Sequence, residues 1–292
     1  MIQKPFDQRE GYIWLDGQML PWQDAKIHTL THGLHYGSSV FEGIRVYNYK
    51  PFKLKQHLQR LILSAQTLGF SLPYSLEELT KSTLEVIKLN DIKNGYFRPA
   101  AWRGSETMLI CGSTADASVL LAGWPEFENK RLELRNRGVR LTISTKWRKP
   151  DPDASPYTAK AASVYTLCTM VKNDATASGY DDALMLDSKG RITEATTANF
   201  FLIIGDELHT PTPDRFLNGI TRQTVIEIAH TLGIKVIEKY LTPEDLKTAA
   251  GAFLTGTAIE LMPVKSIDDI TYDHQHPIFT KLCAAYEKLA NS

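Results

Sequence analysis

A charged stretch with weak periodicity interrupts the chain near its middle, at residues 125–138, where the sequence reads PEFENKRLELRNRG. Such a stretch is typical of an exposed connection between domains. The 292 residues fit either one large domain or two of ordinary size. We therefore predict a smaller N-terminal α/β domain at 1–126, a linker at 127–137 and a larger C-terminal domain at 138–292.

Composition favours a small ligand. Lys plus Arg and Asp plus Glu number 33 each, so no net charge recommends nucleic acid or an anionic membrane as a partner. The three cysteines, Cys111, Cys168 and Cys283, are far apart and suit a reducing compartment. No signal-peptide core and no membrane-length apolar stretch is present. We expect a soluble cytoplasmic protein.

Local patterns predict strands and two helices in the N-terminal part. The strands are expected at 12–15, 19–20, 43–47, 52–54, 96–102 and 118–123. Apolar residues at helical spacing from Leu58 to Leu68 predict a helix that stops at Gly69, with Arg60 off the apolar stripe. Ser75 and Glu78 form a capping box for the second helix.

The C-terminal part alternates strands with helices. Strands are expected at 139–144, 183–186, 199–204, 234–237 and 252–255, and helices after residue 160, at 221–232 and from a capped start at 242–243. No fixed-period repeat is visible. An α+β or mixed α/β two-domain enzyme fits this pattern best.

Lys160 stands in SPYTAKAASVY, where two alanines and a serine follow it at the start of a predicted helix. These small neighbours leave room for a flat ring. Burial penalises the ammonium, so a lysine held there loses its proton readily, and a neutral amine can attack an aldehyde. The segment suits Schiff-base chemistry, although a solvated surface lysine is the commoner explanation when the segment is taken alone.

Glu194 lies in RITEATTANFFLII, ahead of small polar residues and a strand that reads as buried. A carboxylate beside an aromatic nitrogen keeps that nitrogen protonated, and a protonated pyridine accepts electrons better. An ordinary glutamate at a strand edge or turn is the alternative.

Two segments, LNGITRQT and LTGTAIEL, place a glycine and a threonine where a helix is expected to begin. Free amides and a hydroxyl at such a point form a phosphate-binding cup. The residues concerned are Gly219, Ile220 and Thr221 in the first segment, and Gly256, Thr257 and Ala258 in the second. Ordinary N-caps explain either segment separately. Neither matches a nucleotide-binding phosphate loop.

Seven motifs in order resemble the branched-chain amino acid aminotransferases, a family of fold type IV pyridoxal-phosphate enzymes. They are HYGSSVFEGIRVY at 35–47, HLQRL, YFRP, AKAASVY, TEATTANFF, NGITR and LTGTAIELMPV. The resemblance runs from Tyr12 to Val264. It implies a two-domain fold like that of D-amino-acid aminotransferase, with pyridoxal 5'-phosphate as cofactor. It further implies transamination of L-leucine, L-isoleucine and L-valine with 2-oxoglutarate, in amino-acid biosynthesis.

The resemblance also implies roles for cofactor-binding residues. Lys160 would form the Schiff base, Tyr165 would contact the phenolic oxygen, and Glu194 would contact the pyridine nitrogen. The phosphate would be bound by an arginine and the two Gly-Thr segments, namely Arg60, Gly219, Ile220, Thr221, Gly256 and Thr257.

On the substrate side, Tyr36, Phe41 and Gly43 would line the side-chain pocket. The carboxylates would meet Tyr96, Arg98 and the amides of Thr257 and Ala258. A movable guanidinium at Arg98 could accept the acidic side chain of glutamate in a pocket that also takes aliphatic ones. Relatives form dimers, so a homodimer or higher homo-oligomer is implied, with Tyr36 reaching the partner's site.

Two segments depart from the family pattern. The chain reads AWRGSETMLICGS where many relatives carry a GMGV-like loop, and GWPEF where they carry FPWG. Both segments are expected to border the substrate, so the departures bear on the preferred amino acid. Arg103 offers a second carboxylate contact.

Four other functions can be compared with this one. D-amino-acid aminotransferase and aminodeoxychorismate lyase share the fold, but usually show a YGDG-like sequence where this chain has YGSSVFEGIR. A metal site on His28, His32 and His35 lacks the acid of a zinc motif. A non-catalytic cofactor carrier is disfavoured because every expected catalytic residue type is present.

Overall fold

The computed structural model describes residues 4–125 and 129–292. The chain divides into two compact units, a first unit of Met1–Glu126 with Ala159–Ser163 and a second unit of Phe127–Thr158 with Val164–Ser292. The segment Ala159–Ser163 lies in the range predicted for the C-terminal domain, yet it belongs to the first unit because its backbone pairs there. The predicted linker contains a helix, Asn129–Arg137, and its positions 127 and 128 lie outside the described residues.

The first unit is built from seven strands and three helices among its described residues. The strands are β1 (Tyr12–Leu15), β2 (Gln18–Pro21), β3 (Ser39–Phe41), β4 (Ile44–Tyr47), β5 (Lys50–Pro51), β6 (Gly95–Arg103) and β7 (Ala117–Pro125). The helices are α1 (His32–Tyr36), α2 (Leu54–Thr67) and α3 (Leu76–Leu89), with 3-10 turns at Phe6–Gln8 and Trp22–Asp24.

The strands of this unit form one antiparallel sheet in the order β2-β1-β7-β6-β4-β5, with β3 also paired to β6. Residues along β6 alternate between buried and half-buried, since successive side chains of a strand point to opposite faces. Phe97 and Ala101 pack into the apolar core with α2 and α3. Tyr96 and Arg98 therefore lie on the opposite face, where polar chemistry is possible.

The two helices agree closely with the predicted ones. The capping box of α3 is present, because the Glu78 amide donates to the Ser75 hydroxyl and the Ser75 amide donates to the Glu78 carboxylate. The strand expected at 52–54 is wrong: the return strand is β5, and Leu54 already begins α2.

The second unit contains nine strands and four helices among its described residues. The strands are β8 (Val139–Arg148), β9 (Asp182–Leu186), β10 (Ile192–Ala195), β11 (Asn199–Ile204), β12 (Glu207–Pro211), β13 (Val236–Lys239), β14 (Gly251–Gly256), β15 (Glu260–Ile267) and β16 (Ile270–Thr271). The helices are α4 (Asn129–Arg137), α5 (Ala162–Ala177), α6 (Ile220–Thr231) and α7 (Pro277–Ala290), with a 3-10 turn at Pro243–Thr248.

The sheet of the second unit closes on itself. Its strand order is β10-β9-β8-β15-β14-β11-β12-β13, and β10 pairs with β11 as well as with β9. Closure removes exposed strand edges, and the strands β9, β10 and β11 are buried almost throughout. Pairing of β10 with β11 sets Glu194 opposite Asn199, which fixes two polar side chains side by side.

Among the described residues, none of the helices has the length and apolarity that crossing a bilayer requires.

Candidate functional site

The backbone of Lys160 is held by two elements of the first unit. Its amide donates to the Ser64 hydroxyl on α2 at 3.0 Å, and its carbonyl accepts from the Phe41 amide at 3.1 Å. The next residue, Ala161, forms an isolated bridge with Val40 of β3. Hydrogen bonds thus fix the backbone of Lys160 at both its N–H and its C=O group, as a reactive residue requires.

Predicted substrate residues gather around the ring of Phe41. The Lys160 Nζ atom and the Arg98 Cζ atom each lie 4.8 Å from the centroid of that ring, and Arg98 also contacts Tyr96. Gly43 is required beside them, because a Cβ atom there would lie 1.9 Å from the Tyr96 hydroxyl. Five residues named from the sequence are therefore brought together in one unit.

A cavity of about 670 Å³ in the first unit borders Arg98. Its walls are largely apolar and include Ile13, Trp22 and Trp124. Trp124 lies in the unusual GWPEF segment, and its ring is 5.4 Å from that of Tyr96. The departure from the family pattern therefore puts an aromatic wall next to the cationic end of this cavity.

Arg60 is engaged by Glu42, a residue that the sequence did not single out. Arg60 Nε donates to Glu42 Oε1 at 2.5 Å and Nη2 donates to Oε2 at 2.9 Å. The third nitrogen, Nη1, is buried without a hydrogen-bond partner among the described residues. Arg60 and Ser64 are four residues apart on α2, so one helix face positions both the arginine and the backbone of Lys160.

Glu42 is fully buried and ionised. Burial would raise its pKa, but Arg60 and a hydrogen bond from His57 outweigh burial and hold the pKa of Glu42 at about 2. His57 Nδ1 donates to Glu42 Oε2 at 2.7 Å. Burial lowers the pKa of His57, so the imidazole is neutral and the cluster carries one anion and one cation.

Arg103, the last residue of β6, bonds to backbone carbonyls of two neighbouring segments. Its guanidinium donates to the carbonyls of Leu68, Gly69 and Cys111 at 2.9, 2.9 and 3.0 Å. Tyr36 donates to the Met108 carbonyl at 3.1 Å. The Leu68, Gly69 and Cys111 carbonyls bond to Nη1 and Nη2, whereas Nε of Arg103 is buried without a hydrogen-bond partner among the described residues. The second carboxylate contact at Arg103 therefore stays a prediction.

The three histidines of the alternative metal site bond to separate local groups. His32 contacts the Ser38 hydroxyl and the Leu109 carbonyl, His35 contacts the Thr29 carbonyl, and His28 accepts from the Leu30 amide. Across residues 4–125 and 129–292, no cluster of three or more metal-ligating side chains occurs.

Glu194 lies in the second unit between two hydrogen-bond donors. Lys149 Nζ donates to its Oε1 at 2.7 Å, and Asn199 Nδ2 donates to its Oε2 at 3.0 Å. The side chain of Lys149 is 4% exposed. Glu194 is therefore held as a buried carboxylate in a defined orientation.

The segment Gly219 to Thr221 begins helix α6, as the sequence predicts. Gly219 is the N-cap, and the first helical hydrogen bond runs from the Gln223 amide to the Gly219 carbonyl. The amides of Ile220 and Thr221 precede that bond and lack an acceptor within the helix. Both residues are buried, and amides at a helix N-terminus are the kind of donor that binds anions in other proteins.

The segment Gly256 to Ala258 does not begin a helix. It is the turn of the β14–β15 hairpin, in which Gly256 pairs with Glu260. Glu260 has a φ of 55°, and Arg131 of α4 bonds its carboxylate at 2.5 Å. A Gly-Thr pair opens a hairpin turn as readily as a helix, which is why the local sequence misled the prediction.

Tyr165 lies on α5 and packs on a small apolar cluster with Cys168 and Met185. Cys168 Sγ lies 4.0 Å from the Lys149 ammonium. Helix α5 therefore carries both Tyr165, the predicted contact of the cofactor ring, and Cys168, which lies beside the ammonium that bonds Glu194.

Comparison with known proteins decides the family. The profile described as "Amino-transferase class IV" matches residues 39–267. The chain belongs to the class IV aminotransferases. A probable branched-chain-amino-acid aminotransferase of Rickettsia felis is 45% identical to this aminotransferase over 282 residues, 95% of each chain.

Solved class IV aminotransferases share its fold. The branched-chain amino acid aminotransferase of Escherichia coli superposes with a TM-score of 0.92 at 34% identity, covering 96% of this chain and 95% of that chain. The branched-chain aminotransferase of the thermophilic archaeon Thermoproteus uzoniensis, solved with norvaline, has a TM-score of 0.91 at 36% identity and 97% and 96% coverage. The predicted mixed α/β fold of type IV is confirmed.

A third solved relative contains a form of the expected cofactor. This branched-chain amino acid aminotransferase was solved with pyridoxamine 5'-phosphate, and it superposes with a TM-score of 0.92 at 34% identity, covering 97% of this chain and 95% of that chain. It is called the pyridoxamine-phosphate relative below.

Reasoning from the sequence missed several residues that bond, directly or through one another, to the predicted site residues within each unit. They are Glu42, His57, Ser64, Lys149 and Asn199. Glu42, His57 and Asn199 lie inside the quoted motifs HYGSSVFEGIRVY, HLQRL and TEATTANFF, so motif membership was an available signal. Lys149 and Ser64 lie outside them, and their burial follows from tertiary packing alone.

Proposed function

We propose that the protein is a pyridoxal-phosphate-dependent branched-chain-amino-acid aminotransferase. It transfers the amino group of L-leucine, L-isoleucine or L-valine to 2-oxoglutarate, giving a branched-chain 2-oxo acid and L-glutamate. The observation that carries the proposal is the placement of Lys160, fixed by Ser64 and Phe41 within reach of Arg98, in a chain of this family.

The residues present fit the cofactor. Arg60 keeps one buried N–H group without a partner among the described residues, and the α6 N-terminus offers the amides of Ile220 and Thr221. A phosphate satisfies both kinds of donor. Gly219, Gly256 and Thr257 complete the phosphate-binding set in this proposal. The pyridoxamine-phosphate relative supports the same cofactor.

Three residues are assigned to the cofactor's reactive part. When bound, pyridoxal phosphate supplies an aldehyde and a ring that accepts electrons. Glu194 holds a proton on the ring nitrogen, and Tyr165 donates a hydrogen bond to the phenolic oxygen. Lys160 Nζ, as a neutral amine, would remove the Cα proton of the donor amino acid and carry it to the C4′ carbon of the cofactor. In the second half-reaction it would move a proton from C4′ to Cα of the 2-oxo acid that becomes L-glutamate.

Substrate recognition is assigned to the first unit and the β14–β15 turn. Tyr36, Phe41 and Gly43 contact the aliphatic side chain. Carboxylates are bound by Tyr96, Arg98 and the amides of Thr257 and Ala258. A largely apolar cavity that is also bordered by the cations Arg98 and Lys26 suits a protein that must accept both leucine and glutamate. A branched-chain amino acid aminotransferase with 33% identity to this chain was solved with N-(5'-phosphopyridoxyl)-L-glutamate.

We also propose a homodimer that works in the cytoplasm. Its support is a group of exposed apolar side chains in the first unit: Leu34 is 67% exposed, Leu109 68% and Ile110 75%. Apolar groups in this number commonly mark an interface. The two units correspond in this proposal to a smaller N-terminal domain and a larger cofactor-binding domain, and the free cysteines suit a reducing compartment.

Absorption spectra and activity of purified wild-type protein and Lys160→Ala test the proposal. We expect a visible absorption band in wild-type protein saturated with pyridoxal phosphate, which L-leucine removes. The variant should lose that band and at least about 10³-fold of its activity. Lys146→Ala, at an exposed lysine, should match wild type. Turnover of D-alanine without L-leucine would instead favour a D-amino-acid aminotransferase.

A further inference from the structure

Lys149 is a buried cation to which the proposed chemistry assigns no role. Its Nζ atom lies 2.7 Å from Glu194 Oε1 and 4.0 Å from Cys168 Sγ. Burial alone lowers the pKa of an ammonium, but the Glu194 carboxylate outweighs burial and keeps the pKa of Lys149 above its ordinary value. Lys149 therefore stays charged beside the carboxylate that is assigned to the ring nitrogen.

Asn199 connects that carboxylate to the start of α6. Its Nδ2 donates both to Glu194 Oε2 and to the Leu217 carbonyl, at 3.0 Å each. Its Oδ1 accepts from the Gly219 amide at 3.1 Å. The side chain is 5% exposed, and a Cβ atom on Gly219 would lie 2.2 Å from Oδ1. One amide group thus spans the distance from Glu194 to the helix N-cap.

We propose that Lys149 and Asn199 are positioning residues for the cofactor: Lys149 keeps Glu194 ionised, and Asn199 sets the spacing between Glu194 and the phosphate-binding amides of α6. This inference rests on the proposed function, because it takes Glu194 as the partner of the ring nitrogen.

The need for Lys149 follows from proton competition. A buried carboxylate without a cation tends to take up a proton. A protonated Glu194 could no longer hold the proton on the ring nitrogen. The ammonium favours the carboxylate form of Glu194, so the shared proton stays on the ring nitrogen, and the protonated ring serves as the electron sink.

The need for Asn199 follows from geometry. The cofactor is a rigid ring with a phosphate arm, so its two ends must find their partners at one fixed separation. The Asn199 side chain bonds Glu194, Leu217 and Gly219. It therefore holds Glu194 and the start of α6 at a fixed separation before the cofactor binds. Binding then requires little reorganisation, which favours affinity.

Four variants test the proposal, measured as apoprotein titrated with pyridoxal phosphate and with pyridoxal, which lacks the phosphate. Lys149→Met removes the charge, and Lys149→Arg keeps it. Asn199→Ala removes the bridge. Lys172→Met is the matched control, since Lys172 lies on the same unit and pairs with a different carboxylate, that of Asp182, at 2.9 Å.

For Lys149→Met we expect the absorbance of the bound cofactor to titrate at a different pH. The midpoint of the transition on the acid side of this titration should rise by about one pH unit or more, because an opposite charge at this distance shifts a pKa by that amount. Among the described residues, the titratable groups that face the ammonium are the Glu194 carboxylate on β10 and the Cys168 thiol on α5. Lys149→Arg should restore the wild-type midpoint, because it keeps the positive charge. A lysine with only a packing role would not give this result.

For Asn199→Ala we expect a different signature. The pH dependence should stay near that of wild type, while the affinity advantage of pyridoxal phosphate over pyridoxal should fall about tenfold, as for loss of a buried hydrogen-bond partner. An unchanged midpoint of the acid transition in Lys149→Met would overturn the role of Lys149. An unchanged ratio of the dissociation constants for pyridoxal phosphate and pyridoxal in Asn199→Ala would overturn the role of Asn199.

A further measurement separates this inference from the proposed function. Unfolding midpoints of cofactor-free Lys149→Met, Glu194→Gln and the double variant form a cycle that involves no catalysis. We expect each single variant to lower the midpoint, because it leaves one buried charge without its partner. The double variant should recover most of the loss, because neither charge of the pair remains. Additive losses would refute the coupling, whereas absent transamination with strong coupling would refute the proposed function only.

Discussion

Glu42 binds the guanidinium of Arg60 through two parallel hydrogen bonds, Nε to Oε1 at 2.5 Å and Nη2 to Oε2 at 2.9 Å, and no part of Glu42 reaches solvent. The pair is electrically neutral. In the proposed phosphate site, the pair would therefore contribute a correctly directed donor, the remaining Nη1–H group, more than long-range attraction. A rigidly held donor of this kind loses little entropy on binding.

Glu42→Gln should destabilise the protein in a pH-dependent way. Folding lowers the pKa of Glu42 from 4.5 to about 2, so the carboxylate stabilises the fold above pH 4.5 by about 3 kcal/mol, and this contribution disappears as the pH falls toward 2. Urea denaturation of wild type and variant between about pH 7 and about pH 2.5 measures the difference. Glu85→Gln, at an exposed position on α3, is the control, and a difference that does not shrink in acid would contradict this account.

Arg98→Met should separate the two substrates. Loss of a charged hydrogen-bond donor costs about 1.5–3 kcal/mol, so the KM for 2-oxoglutarate should rise roughly 10- to 100-fold, while the KM for L-leucine changes little. Steady-state kinetics with each substrate varied in turn gives both values. Arg98→Lys should fall between wild type and Met. An equal rise for leucine would show that Arg98 does not discriminate by the distal carboxylate.

Arg103→Met should weaken the fold without selecting between substrates. Arg103 then no longer donates to three backbone carbonyls, and a hydrogen bond to a charged group contributes about 1.5–3 kcal/mol. Urea denaturation should show a loss of about 2–4 kcal/mol, together with faster proteolysis in the loop that contains Cys111. A rise in the KM for 2-oxoglutarate at unchanged stability would instead support a contact between Arg103 and the substrate carboxylate.

The double substitution Leu109→Ser with Ile110→Ser should dissociate the proposed dimer. These side chains are 68% and 75% exposed in the single chain, and loss of two apolar contacts at an interface should raise the dimer dissociation constant at least about 30-fold. Sedimentation velocity over a range of concentrations measures it. Leu63→Ser, at a leucine 60% exposed on α2, is the matched control. A variant that sediments like wild type would place the interface elsewhere.

Elements with a local cause were predictable from the sequence. The capping box of Ser75 and Glu78 needs residues three apart and nothing more, and it forms as expected. The hairpin turn at Thr257 was misread as a helix start, since the two structures share their first residues and differ in the pairing of Gly256 with Glu260. Strand pairing of that kind depends on the rest of the sheet.

Buried charges were the least predictable part of the site. Glu42 and Lys149 belong to residue types that usually face water, and the partners that make their burial tolerable, Arg60 and Glu194, lie 18 and 45 positions away. Arg103 shows the same limit in reverse, because a cation in a substrate-facing motif turned out to serve three backbone carbonyls. Sequence motifs identified the residues predicted to contact ligands more readily than the residues that hold those residues in place.

The short segment Ala159–Ser163 leaves the second unit, bonds to Ser64 and Phe41 of the first, and returns. Cutting the chain at residue 126 would therefore leave the lysine on one fragment and the hydrogen bonds that orient it on the other. Recombination between relatives at the same point would likewise join a lysine to an anchor with which it did not co-evolve. Exchanges that move residues 159–163 together with the N-terminal piece keep that match, which gives a practical rule for building chimeras of this protein.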